Sequence, residues 1–96
     1  MELFIFARFR ARAGNESAIE DALDTVLGPT RAETGCLNIH AFRSTRDPQL
    51  FYIHSRWTNE EAFDRHAGLP HTVRFMECVK TLIDHPLDVT RPVLVG

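Results

Sequence analysis

Ninety-six residues, 44% hydrophobic and 25% charged, fit one ordinary globular domain, 1–96. A formal net charge of −2, with Lys and Arg scattered, leaves no basic footprint for nucleic acid. No apolar run reaches the ~18 residues a membrane span needs, so a membrane is not an expected partner either. Cys36 and Cys78 have no metal-site spacing, and no targeting segment is visible. Both features fit reduced thiols in a cytoplasmic protein.

Residues 2–12 open the chain as a strand. Leu3, Ile5, Ala7 and Phe9 share one face, and Phe4, Phe6, Arg8 and Arg10 share the other. Gly14 ends it, and Asn15 suits a helix N-cap. Ile19, Ala22, Leu23, Val26 and Leu27 recur at helical spacing. Gly28-Pro29 is expected to bend or interrupt that helix, with a last turn running to Gly35 as the stop. Residues 36–57 read as an antiparallel hairpin turned by Asp47-Pro48.

Thr58 and Glu61 match a capping box at the start of the next helix. Phe63 and His66 lie on one side of it, and Pro70 interrupts it. Phe75, Met76, Val79, Leu82 and Ile83 mark a second helical segment, which His85-Pro86 stops. Residues 87–95 give a last strand, placed at an edge because Pro92 cannot donate to a ladder.

The predicted order is β-α-β-β-α-β, an α+β ferredoxin-like antiparallel sheet with helices on one face. The opposite face then carries Phe4, Phe6, Phe42 and Tyr52, with Arg8, Arg10, His40, His54 and Arg56. An open face that apolar is expected to be covered by a second copy, making a homodimer.

Strand parity points Phe51, Ile53, Ser55 and Trp57 towards the helices. Helix phase turns Phe63, His66 and Phe75 to meet them. His71 follows the break at Pro70, where a space beneath the helices is expected. Two imidazoles beside such a space suit proton transfer near neutral pH, so His66 and His71 are the candidate catalytic residues. Trp57, Ser55, Phe51, Ile53, Phe63 and Phe75 are the candidate substrate contacts. No metal is expected, because His66 and His71 are five apart and no neighbouring carboxylate completes a set. Cys36 reads as a small buried thiol.

The Glu33-Thr34-Gly35-Cys36 turn, the Asp47-Pro48 hairpin and the stretch FYIHSRWTNEEAFDRHAGLPH (residues 51–71) carry a resemblance over nearly the whole chain. The sequence resembles the antibiotic biosynthesis monooxygenase family, and within it the small quinol-monooxygenase-type proteins. That resemblance implies a dimeric α+β barrel working without metal, flavin or other cofactor. Its partners would be a small aromatic quinol or phenol and dioxygen. Trp57 would wall the pocket, and His66 and His71 would bind or deprotonate the substrate hydroxyl. One departure stands out: many relatives carry Glu two residues before the tryptophan, where this chain has Ser55.

Rival readings are fewer. The heme-degrading branch of the fold would want Asn near residue 7, which is Ala7. An isomerase of a small sugar-derived metabolite would need a phosphate cradle, for which Arg8, Arg43 or Arg74 would serve. A ligand-binding dimer would bind aromatics without turnover.

Overall fold

Strands β1 (Leu3–Arg10), β2 (Cys36–Arg43), β3 (Leu50–Trp57) and β4 (Asp88–Thr90) form one sheet. Its order is β2-β3-β1-β4, antiparallel throughout. This computed structural model describes residues 1–96. Helices α1 (Glu16–Arg31), α2 (Glu60–Ala67) and α3 (Pro70–Val79) connect the strands in the split β-α-β arrangement. The helices cover one sheet face, as period-two patterning requires. Ile5, Ala7 and Phe9 are buried beneath them, while Phe6 and Arg8 point away.

Three local expectations are corrected. Helix α1 runs unbroken through Pro29. Proline in the last turn removes only one intrahelical bond, and the Thr30 hydroxyl donates to the Val26 carbonyl at 2.7 Å, tying that turn down. The α2 cap is Asn59 rather than Thr58, and its side chain accepts from the Ala62 N–H at 2.9 Å. The last strand is short. Pairing with β1 stops at Thr90, so Val93, Leu94 and Val95 lie outside the sheet and exposed.

Leu69 is extended, as a residue before proline should be, and Pro70 sits in the first turn of α3. The break at Gly68-Leu69 therefore separates two helices that together occupy one crossover.

The interior is split along the strands. One cluster joins Phe9, Phe51, Ile19, Leu23, Val26, Phe75, Val79 and Ile83. A second joins Ile5, Trp57 and Ala62 at the other end of β1 and β3. Between them Ala7 on β1 lies opposite Ile53, and Ser55 on β3 lies opposite Ile5. The short Ala7 and Ser55 side chains leave a gap in the middle, which Ile39 and Ile53 also line.

Gly35 fixes how the α1–β2 turn docks against α2. Its φ is +96°, and a Cβ there would lie 2.6 Å from the Ala62 Cβ and 3.0 Å from the Thr58 hydroxyl. The Thr58 N–H also donates to the Gly35 carbonyl at 2.9 Å. Gly35→Ala should therefore cost about 1–3 kcal/mol from backbone strain, and more if α2 must move. A urea midpoint equal to that of the parent would refute this reading.

Candidate active site

The gap between the clusters is a cavity of about 400 Å³. That size is within the range of small-molecule sites. Its wall is largely apolar. Among the predicted contacts, Ile53, Ser55, Phe63 and Phe75 line it, together with the predicted base His66. Ala7, Ile39, Thr30 and Thr72 complete much of the surface.

Three predicted site residues do not line it. Trp57 is fully buried in the smaller cluster. Its ring lies 4.7 Å from the His66 ring and 5.7 Å from the Phe63 ring, so it backs those side chains rather than facing the space. Phe51 stacks on Phe9 at 5.8 Å in the larger cluster, one end too far along the strand. His71 faces a different hollow, a groove of about 260 Å³ between α1 and α3 lined by Thr25, Pro29, Arg74 and Cys78.

Sequence reasoning missed Glu33. It stands in the turn after α1, distant in sequence from both histidines. The fold brings its carboxylate between them. Glu33 Oε2 lies 2.7 Å from His66 Nδ1 and 2.7 Å from His71 Nε2. The side chains are 9%, 11% and 17% exposed for Glu33, His66 and His71, low enough for these bonds to be shielded from water. An ionised carboxylate only accepts, so each imidazole must donate. This assigns the His66 proton to Nδ1, which also lies 3.2 Å from the Thr72 hydroxyl, and leaves Nε2 with a free lone pair. Glu33 thus does for His66 what an orienting carboxylate does in a hydrolase triad: it fixes tautomer and ring position.

Ser55 has a partner of its own. Its Oγ accepts from Trp57 Nε1 at 3.0 Å, which satisfies the buried indole. The serine keeps one O–H to donate.

The two histidines and Glu33 also form a donor set that suits a metal. Their three ligand atoms lie within 4.8 Å of one another. No carboxylate neighbouring the histidines in sequence completes a set, and the fold supplies Glu33. Cys36 takes no part. Burial pushes its thiol up from the ordinary value, the Glu33 carboxylate adds to the shift, and Arg31 opposes it. A thiol so held is a poor nucleophile. No helix is long and apolar enough to cross a membrane.

Comparison with known proteins agrees with this architecture. The model of a family described as antibiotic biosynthesis monooxygenase matches residues 3–77. The Mycobacterium tuberculosis protein named "Putative monooxygenase Rv0793" is 34% identical over 86 residues, which are 90% of this chain and 84% of that protein. The solved structure of Rv0793 superposes with a TM-score of 0.93 over 100% of this chain and 97% of its own; identity over that longer alignment is 29%. PA3566 from Pseudomonas aeruginosa superposes with a TM-score of 0.90, 27% identity, and coverage of 99% and 95% of the two chains.

Proposed function

The chain belongs to the antibiotic biosynthesis monooxygenase family, and from that premise we propose that it oxidises a small aromatic quinol or phenol with dioxygen, using no cofactor. One observation carries this reading: an apolar cavity of about 400 Å³ with the His66 imidazole in its wall, held by Glu33.

The chemistry follows from those two parts. His66 Nε2 takes the substrate hydroxyl proton. The resulting electron-rich anion reacts with dioxygen within the largely apolar cavity. One oxygen atom enters a ring carbon, the other leaves as water, and the quinol itself supplies all four electrons. The product is a hydroxyquinone. Ile53, Phe63 and Phe75 hold the ring by apolar contact, and Ser55 offers a hydrogen bond to a substrate oxygen.

The test is oxygen consumption by metal-stripped protein over a panel of benzene- and naphthalene-derived quinols, with labelled dioxygen. One labelled atom should appear in the product. Rates no higher than autoxidation in buffer for every panel member would end the proposal. Saturable binding without turnover would favour a ligand-binding role instead.

The assembly proposed with this activity is a homodimer through the open sheet face. There Phe6 is 40% and Phe42 48% exposed, both against His54, with ring separations of 4.3 and 5.1 Å. Aromatic rings left at such exposure on one face are a docking surface, and an identical face is the partner that matches it. Light scattering should give twice the 11.0 kDa chain mass. Phe6→Asp with Phe42→Asp should give a folded monomer. A parent protein of single-chain mass at micromolar concentration would contradict the dimer.

A further inference from the structure

The geometry points to a binding site for one divalent transition-metal ion at Glu33 Oε2, His66 Nδ1 and His71 Nε2. These donors come from three separate places in the chain: the turn after α1, the last turn of α2 and the first turn of α3. The two histidines flank the short α2–α3 break, and the fold brings Glu33 to them from far along the chain. A cation bonded at about 2.0–2.2 Å to each would need donors no more than about 4.4 Å apart. Two of the three separations are 2.7 Å, and all lie within 4.8 Å. Small ring and carboxylate movements therefore close the set around an ion.

The chemistry of the donors selects the class of ion. Two imidazoles and one carboxylate suit Zn²⁺, Co²⁺, Ni²⁺ or Fe²⁺, whereas Mg²⁺ and Ca²⁺ prefer all-oxygen shells. Three protein ligands leave at least one position for water. An approach exists from outside, because His71 lines the groove between α1 and α3 while His66 lines the cavity. The ion would enter from the groove side without crossing the substrate space.

Occupancy has a consequence for the cavity. The two N–H···O bonds to Glu33 are replaced by bonds to the cation. His66 then binds metal through Nδ1 and must carry its proton on Nε2, so it donates instead of accepting. A bound ion is thus an inhibitor of proton abstraction. That effect rests on the base role proposed for His66; the binding itself does not.

Titration of the metal-stripped full chain with Co²⁺ under nitrogen tests the site. Visible d–d absorption reports coordination. Quenching of Trp57, the only tryptophan, reports proximity, since its ring is 4.7 Å from that of His66. The expected result is saturation at one ion per chain. Glu33→Gln and His71→Ala should each weaken binding at least tenfold, and exposed His85→Ala should leave it unchanged. Circular dichroism confirms that each variant is folded, and either folded variant suffices. No saturation, or saturation indifferent to both variants, would overturn the site.

Oxygen consumption of stripped and Zn²⁺-loaded protein separates the two proposals. Activity in stripped protein that Zn²⁺ suppresses supports both. Activity only after loading would keep the site and overturn the cofactor-free reading. Activity in stripped protein that takes up no Co²⁺ would keep that reading and overturn the site.

Discussion

Replacing His66 with alanine is expected to slow oxygen consumption on a quinol by about 10²–10⁴-fold, the usual span for loss of a positioned general base. That corresponds to about 3–5 kcal/mol of transition-state stabilisation. The size follows from position. His66 is the only imidazole lining the cavity, so no second base inherits its task. Glu33→Gln should fall in the same direction by less. The amide retains an acceptor oxygen but also brings an NH₂ donor, so it no longer forces the His66 proton onto Nδ1. His71→Ala should do least to the chemical step, since that ring faces the groove and touches Glu33 from the far side. Initial rates by oxygen electrode at saturating quinol check the order. An unchanged rate in His66→Ala, with the fold intact by circular dichroism, would sink the base assignment.

The same geometry reframes the serine that departs from the family pattern. A carboxylate is absent at position 55, but the site holds one. Glu33 reaches His66 from the α1–β2 turn, and Ser55 satisfies the buried Trp57 indole. Under the proposed mechanism, proton abstraction falls to an imidazole oriented by a carboxylate, and the strand contributes a neutral hydroxyl to the cavity wall. The substrate anion then meets no fixed negative charge on β3.

Much of the fold was legible because it rests on short-range rules. Period-two alternation placed Ile5, Ala7 and Phe9 inward, and the 3.6 period turned Phe63, His66 and Phe75 to face them. Pro70 marked the helix break because its ring forces Leu69 out of the helical region. Parity, however, says which face a residue takes and not which end of the sheet. Phe51 and Trp57 share the inward face with Ser55 and Ile53, yet each falls in a packed cluster at one end. The space opens where Ala7 lies between larger neighbours and Ser55 sits beside Trp57, a property of strand register that one strand cannot reveal. Glu33 was illegible for a related reason. A glutamate in a turn reads as solvated, and only the docking of that turn against α2 and α3 buries it. The Gly35 contact with Ala62 belongs to the same docking.

Trp57→Ala should be the most destabilising single truncation in the chain, at about 3–5 kcal/mol, typical for a buried Trp or Phe cut to Ala. Trp57 has no exposed surface, and Ile5, Ala62 and Phe63 pack around it. So small a cluster has little other volume to collapse into the cavity left behind. Removing the indole also leaves the Ser55 oxygen without its partner, and takes away the ring that backs His66. In a domain this size each kcal/mol moves Tm by about 4–8 °C, so the fall should exceed about 12 °C. Trp57→Phe separates packing from the hydrogen bond. It keeps most of the ring and loses the N–H, and should cost about 1–2 kcal/mol. Because Trp57 lies behind the cavity wall, Trp57→Phe should also leave KM for a quinol within about twofold, about 0.4 kcal/mol, while a true wall residue such as Phe63→Ala should raise it about tenfold or more. Urea unfolding and steady-state kinetics on the two variants decide the matter. A large rise in KM for Trp57→Phe with unchanged stability would return the tryptophan to the pocket wall.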